Sequence, residues 1–515
     1  MVKNVDLYNY IKDNKIYLIG LFLFSFLFVI DYSTSTSFLY DYPETSDSFI
    51  FQVIGKYWLQ GSIPYRDLYD NKGPFLYAMN ALGYWLINSK TGVLLVQIPF
   101  FFATSIITFH FLQIGFNKKQ SFWLSIALLL GLSLGYSGGN HGCEYALPFI
   151  MFSFYLFYRW INQVKPIFSN YPLYYDYIYG ITIGVCFMTR PSNALVILMI
   201  VAYIMVQYLW NRQIKRLFQC LSLIILGSLT VCLPFIIYFI AEGNFEDFFY
   251  ALIISNMHYL KNTGIWESPM YLKRAVALLF GYINCLMFLF IGLLQICSDS
   301  RKNNGIIWFL MSLVCILFFI RTNCYPNYAH ICLPFAAIGL LELKAIYQSH
   351  SMKRLIRLCV PIIAFILISI NTFNGIYSTI KFAVRNSHPN KELYAAYDDI
   401  ITTIPKEDYD SFIGYECPAE FYLRWNLKPC YRFFALQGFS SHYNQDVYEK
   451  TNQEFINGNA QWVLVDYRKG LPKEINETLT NQYQQIKSLS AAENYLVLYK
   501  RITSKSLSSS STSPP

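Results

Sequence analysis

Residues 65–87 read YRDLYDNKGPFLYAMNALGYWLI. Whether the second half of this stretch crosses a membrane decides the orientation of everything after it. Arg66, Asp67, Asp70 and Lys72 stand at its head, with Lys56 just upstream, in a chain that is 55% hydrophobic and only 14% charged. Soluble domains carry about 25% charged residues, so this composition belongs to a polytopic membrane protein. The apolar run 73–87 is fifteen residues long, and a crossing needs about 20. Counting it as a span would also invert the chain and put Lys118 and Lys119 outside and the GGNHG segment, residues 138–142, inside. It is therefore read as an interfacial helix along the outer membrane face, which leaves the charges from Arg66 to Lys72 at the boundary between water and lipid.

Apolar runs near 16–30, 91–113, 121–137, 143–162, 175–189, 191–210, 217–240, 274–296, 305–321, 328–347 and 355–377 make eleven expected spans. Basic residues fall in alternate short connections: Lys118/Lys119, Arg159/Lys165, Arg212/Lys215/Arg216, Arg301/Lys302 and Lys353/Arg354/Arg357. The positive-inside rule then makes those connections and the N-terminus cytoplasmic. The loops at 31–90, 138–142, around 190, 241–273 and 322–327 face outward, as does the chain after about 378. The polar N-terminus, with Lys3, Lys12 and Lys15, reads as the flank of an uncleaved signal anchor.

Residues 1–378 thus form the transmembrane region. From 379 to 503 the composition turns polar, with helical spacing followed by strand-like runs, two of them at 460–468 and 493–502, which predicts a small α/β domain. Residues 504–515, rich in serine, read as a disordered tail. The net charge of +9 is accounted for by the cytoplasmic loops, and no basic face for nucleic acid stands out. Most of the twelve cysteines lie in apolar runs as small core residues. Cys417 and Cys430 lie in the polar C-terminal region, where a disulfide is one option outside the cytosol. Asn476 heads an Asn-Glu-Thr tripeptide, for which chance is the better reading than glycosylation. No metal-binding His pair and no nucleotide-phosphate loop is present.

The outward loops concentrate the polar chemistry. Phe49, Ile50, Val53, Ile54, Tyr57 and Trp58 recur with helical period, with Ser46 as the expected N-cap and Asp47 in the first turn. That helix is expected to lie on the membrane with Asp47 at its entry. Glu144 opens the span after GGNHG, and a mid-membrane carboxylate costs about 2–3 kcal/mol, less near the surface, so it should face a cleft or a partner; snorkelling or N-capping is the structural alternative. Lys72, Arg190 and Arg321 are cations on the same side. Each alone could snorkel at a span end. Three together, beside two acids, are the donor set a phosphate needs.

Four segments in order, 46–86 (SDSFIFQVIGKYWLQGSIPYRDLYDNKGPFLYAMNALGYWL), 138–157 (GGNHGCEYALPFIMFSFYLF), 184–195 (GVCFMTRPSNAL) and 325–340 (YPNYAHICLPFAAIGL), resemble the polyprenyl-phosphate-dependent membrane glycosyltransferases of the GT-C fold. The bacterial branch similar to protein O-mannosyltransferases and the lipid A aminoarabinose transferase is the nearest likeness. The resemblance implies a polytopic α-helical membrane protein, GT-C-like, with about eleven transmembrane helices, interfacial helices in the first outer loop and a small C-terminal α/β exoplasmic domain. It implies transfer of a sugar from a polyprenyl-phosphate donor to an acceptor hydroxyl of a lipid, glycan or protein, at the outer face of a bacterial cytoplasmic membrane. By this likeness Asp47 and Glu144 are catalytic, Lys72, Arg190 and Arg321 bind the lipid phosphate, and Asp67, Asp70, Tyr328 and His330 join the substrate-binding set. Pro326-Asn327-Tyr328 stands where the family often has Pro-His-Tyr, and His330 is the nearby imidazole. No cofactor is certain; a divalent cation bridging Asp47, Glu144 and the phosphate is one option. The rival readings are a transporter or flippase of lipid-linked saccharides, which would want charges near the midplane of its spans, and a non-catalytic scaffold.

Overall fold

The computed structural model describes residues 7–44, 46–162, 171–261, 283–296, 302–321, 325–348, 354–385, 390–491 and 493–502. The helices of the first region are α1 (Leu7–Tyr32), α2 (Ser48–Trp58), α3 (Pro74–Leu86), α4 (Lys90–Leu112), α5 (Lys118–Leu130) and α6 (Gly142–Ile161). They continue with α7 (Tyr174–Thr189), α8 (Leu195–Trp210), α9 (Ile214–Ala241), α10 (Phe245–Phe249), α11 (Ser255–Lys261), α12 (Ile283–Ile296), α13 (Lys302–Arg321), α14 (Leu333–Gln348) and α15 (Arg354–Arg385). Among the described residues five helical segments are long and apolar enough to cross a membrane: Asn9–Tyr32, Lys90–Leu112, Pro191–Trp210, Ile214–Ala241 and Pro326–Gln348. The other six expected spans also fall on helices, either shorter or more polar. The span expected at 121–137, for example, is a helix only to Leu130 and tightens into a 3-10 turn at Gly131–Gly135. Part of the 274–296 run lies outside the described residues. Along α9, Phe218, Ile225, Leu229, Leu233 and Ile237 are exposed, an apolar exterior that only lipid satisfies.

Helix α3 is thirteen residues, about 20 Å at 1.5 Å per residue, short of a bilayer core of about 30 Å. It packs on α2 and α4, and Trp85, 70% exposed, stands on its outer side with Leu82 and Leu86. Pro74 starts the helix at a position where a missing N–H costs nothing. Gly73 before it has an ordinary extended conformation, so space rather than φ selects glycine there. A Cβ at Gly73 would lie 2.2 Å from the Met188 carbonyl carbon and oxygen, and its N–H donates to the Thr189 carbonyl at 2.9 Å. The Lys-Gly-Pro turn is thus the point where the first loop touches the end of α7. Gly73→Ala is expected to destabilise the fold by about 1–3 kcal/mol through backbone overpacking, read as a lowered thermal midpoint of the purified protein.

Helix α2 departs from expectation. Ser46 does not cap it; Asp47 is the N-cap residue and its side chain makes no capping hydrogen bond. Nor does the helix lie on lipid: ten of its eleven residues are buried. The C-terminal region, which opens with α16 (Lys391–Ile401), covers it, with α17 (Glu420–Arg424) packed on its flank. Lys56 Nζ donates to Asn426 Oδ1 at 2.7 Å, and burial pushes its ammonium pKa down.

The C-terminal sheet has the order β1 (Phe412–Tyr415), β2 (Trp462–Asp466), β4 (Asn494–Arg501), β3 (Tyr483–Ala491). β1 and β2 are parallel and the other pairs antiparallel. β1 and β2 are buried throughout, whereas β3 is a polar edge strand with Gln484, Gln485 and Ile486 exposed, which is why its sequence carried no strand signal. Helices α18 (Gln445–Asn457) and α19 (Lys473–Gln482) complete it. Cys417 and Cys430 are both free thiols.

Candidate active site

The two buried tyrosines of the opening stretch build the turn that carries Lys72. Tyr65 Oη donates to the Lys72 carbonyl at 2.7 Å, and Tyr77 Oη donates to Asp70 Oδ2 at 2.8 Å. Asp70 Oδ1 in turn lies 4.0 Å from Lys72 Nζ, which also donates to Asn71 Oδ1. The turn is therefore clamped by the two rings, and its ammonium is held by Asp70 and Asn71. Because Gly73 docks on Met188 and Thr189, the turn bearing Lys72 is brought to the end of α7, whose C-cap residue is Arg190. The Arg190 guanidinium lies 3.3 Å from the centre of the Tyr328 ring, a cation–π contact that fixes its plane.

These groups face one cavity of about 670 Å³. Asp47, Asp70, Lys72, Arg190 and Tyr328 all line it, from four separate stretches of chain. Asp47 enters at the start of α2, and Ser48 beside it accepts from Asn140 Nδ2 at 2.9 Å. That contact ties the α2 entry to the GGNHG turn. Gly139 has φ +76° and a Cβ there would meet Ser33 Oγ at 2.1 Å, so the turn requires glycine twice over.

Glu144 is placed differently. It is 7% exposed and off the cavity wall: Oε1 accepts from the His141 N–H at 2.9 Å and Oε2 from Gln97 Nε2 at 3.1 Å. Gln97 is bound in turn by Ser33 and Thr36. Glu144 is therefore an N-terminal anchor of α6, the capping alternative raised above, and through His141 it presents an imidazole that does line the cavity. Glu144→Gln leaves one of the two buried donors unmatched and is expected to cost about 1–3 kcal/mol of stability in a thermal melt. If the anchor is its whole contribution, transfer per folded molecule should stay within a few-fold of wild type.

Two further expected residues also lie apart. Asp67 pairs with Arg66 at 2.9 Å and accepts from the Ile63 N–H at 2.7 Å, away from the cavity. His330 is fully buried, with Nε2 3.1 Å from the Leu132 carbonyl and Nδ1 3.5 Å from Cys143 Sγ, also off the wall. Arg321 closes α13, and its side chain lies outside the described residues.

Sequence reasoning missed His141 and a whole wall. Tyr69, Phe433, Gln437, Phe439 and Tyr443 line the cavity, four of them from the C-terminal region. That region docks through the Tyr69 N–H donating to the Arg432 carbonyl at 2.9 Å and the Arg432–Asp247 ion pair at 2.8 Å. Nothing local in the sequence announces such contacts, since each joins residues more than 180 positions apart. Among the described residues, no three His, Cys, Asp or Glu side chains cluster as a metal site.

The family model described as "Putative competence-induced protein Ccs4 N-terminal domain" matches residues 9–382. The chain belongs to this family. No curated protein matches it. Among solved structures, ArnT from Cupriavidus metallidurans bound to undecaprenyl phosphate is similar with a TM-score of 0.56 at 13% identity, over 94% of this chain and 98% of that one. The apo state of the same ArnT gives 0.56 at 12% identity, over 93% and 97%. The archaeal oligosaccharyltransferase AglB from Archaeoglobus fulgidus, in complex with an inhibitory peptide and a dolichol-phosphate, gives 0.48 at 13% identity, over 93% of this chain and 74% of that one. The ArnT likeness runs nearly the full length of both chains and shows that this Ccs4-family member shares the GT-C fold of ArnT. The region matched by the family model holds Asp47, Lys72, Arg190 and Tyr328, while the wall from Phe433 to Tyr443 lies beyond residue 382.

Proposed function

We propose that this protein transfers a sugar from a polyprenyl-phosphate donor to an acceptor hydroxyl at the outer face of a bacterial cytoplasmic membrane, with inversion. The observation that carries the reading is the convergence of Lys72 and Arg190 with Asp47 on one cavity, although they are more than 100 residues apart at the extremes. The fold shared with ArnT, crystallised with undecaprenyl phosphate, supports the donor class.

The chemistry follows from the groups present. The acceptor oxygen attacks the anomeric carbon, the bond from that carbon to the phosphate oxygen breaks, and the polyprenyl phosphate leaves with the electron pair. Lys72 and Arg190 hold the phosphate, whose charge grows as the bond breaks. Asp47, whose carboxylate does no capping, takes the acceptor proton. Asp70 positions Lys72, and Tyr328 orients Arg190. Glu144 acts through His141 rather than on substrate. A cation bridging Asp47 and Glu144 does not fit this cavity, because Glu144 is not on the wall that Asp47 lines and is held by the His141 N–H and Gln97. Every step above therefore uses side chains alone.

In this reading the N-terminus is cytoplasmic and the cavity and C-terminal region are exoplasmic. Incubating the purified protein with undecaprenyl-phosphate sugars and candidate acceptors, and identifying products by mass spectrometry, tests it. A glycosylated acceptor with released undecaprenyl phosphate is the expected result. Binding of the lipid with no transfer to any acceptor or water would favour the flippase alternative.

A further inference from the structure

The cavity is divided by charge. Among the described residues its charged side chains, Asp47, Asp70, Lys72 and Arg190, come from the first loop and the end of α7. Another part of the wall is aromatic. Tyr259, Phe439 and Tyr443 form a three-ring cluster: Tyr259 and Tyr443 are 5.4 Å apart at 79°, Phe439 and Tyr443 5.1 Å at 55°, and Tyr259 and Phe439 6.5 Å at 43°. The cluster is continuous with the cationic side, because Tyr259 Oη lies 3.5 Å from Tyr328 Oη, and Tyr328 stacks on Arg190.

The loop bearing Phe439 and Tyr443 is held rigidly. Gln437 Nε2 donates to the Gly414 and Phe433 carbonyls at 3.1 and 2.8 Å, and its Oε1 accepts from the Glu416 N–H at 2.9 Å. Glu416 also accepts from the Gly438 N–H. Leu436, on the cavity wall, is kept at φ +56°, a left-handed conformation that a leucine adopts only when its surroundings impose it. The aromatic wall is thus preorganised, and rigid rings bind with little ordering cost.

We infer that this wall is a subsite for an electrically neutral pyranose ring, and that the C-terminal region thereby selects the sugar. Sugar rings present C–H faces that stack on aromatic π-systems and hydroxyls that bond to phenol groups. Among the described residues Tyr259, Phe439 and Tyr443 bring no charged side chain to this wall, so an ionised sugar substituent stacked on the rings would be desolvated without a direct partner, which is costly. The inference rests on the proposed function, with the phosphate held at Arg190 as the fixed point from which the ring reaches the aromatic cluster. The ring could be the sugar of the lipid-linked donor or that of a glycan acceptor.

Binding to the full-length protein in lipid nanodiscs separates these possibilities. The probes are undecaprenyl phosphate alone, undecaprenyl phosphate carrying glucose, galactose or mannose, the same lipid carrying galacturonic acid, and methyl glycosides of the three neutral hexoses. Wild type should bind at least one neutral form, lipid-linked or glycoside, about tenfold more tightly than its reference, the bare lipid phosphate or the uronic acid form. Phe439→Leu and Tyr443→Leu should erase that gain while leaving bare lipid phosphate binding within twofold, which also reports that the variants are folded. A gain in the lipid-linked arm assigns the ring to the donor, and a gain in the glycoside arm assigns it to the acceptor. The inference is overturned if no neutral sugar adds affinity in either arm, if the uronic acid form binds best, or if both variants keep the gain. Failure of bare undecaprenyl phosphate to bind wild type would instead sink the proposed function.

Discussion

Asp47→Asn is expected to lower glycosyl transfer by about 10²- to 10⁴-fold, the range typical of a lost general base. Asparagine keeps the shape of the side chain but cannot take the acceptor proton. The substitution should not disturb the fold, because the Asp47 carboxylate makes no helix-capping bond and α2 is secured by its own buried face and by Lys56 against Asn426. Binding of undecaprenyl phosphate should therefore stay near wild type, since Lys72 and Arg190 are untouched. The check is a pair of measurements on one preparation, transfer rate and lipid affinity. Full activity in the Asn variant would remove Asp47 from the mechanism, and a parallel loss of lipid binding would recast it as a structural residue of the cavity mouth.

Arg190→Met should act on the other half of the reaction, weakening undecaprenyl phosphate binding by about 10- to 100-fold, as expected for a charge-assisted hydrogen bond worth about 1.5–3 kcal/mol. Transfer should fall further than binding, because the charge on the leaving phosphate is greatest as the bond breaks. Two features make Arg190 the more consequential of the paired cations. Its guanidinium plane is set by the Tyr328 ring at 3.3 Å, whereas Lys72 is partly neutralised by Asp70 at 4.0 Å. Arg190→Lys is the informative control, since lysine restores charge but neither the planar fork nor the stacking. It should recover part of the binding and little of the rate. Equal lipid affinity in Arg190→Met and wild type would place the phosphate elsewhere in the cavity.

Hydropathy located the helices among the described residues, because a membrane forces long apolar runs and each run carries its own evidence. The short run 73–87 was legible for the same reason, as a helix of thirteen residues with an exposed Trp85. Burial of α2 was not legible. An amphipathic helix looks alike whether its second face meets lipid or protein, and here α17 covers it. Glu144 shows the converse ambiguity. An acid beside the hydrocarbon demands partners, but whether they are substrate or Gln97 depends on a contact 47 residues away in sequence.

Composition, the order of apolar runs and the loop charges specify a helical membrane chain with its acids and bases gathered in loops, since those properties are summed along the sequence. Bringing Lys72 and Arg190 to one cavity needed the close approach of Gly73 to Met188, and the aromatic wall needed the C-terminal region to dock on Tyr69. Both are long-range packing events. Their energy belongs to pairs of surfaces, so no single stretch of the chain encodes them.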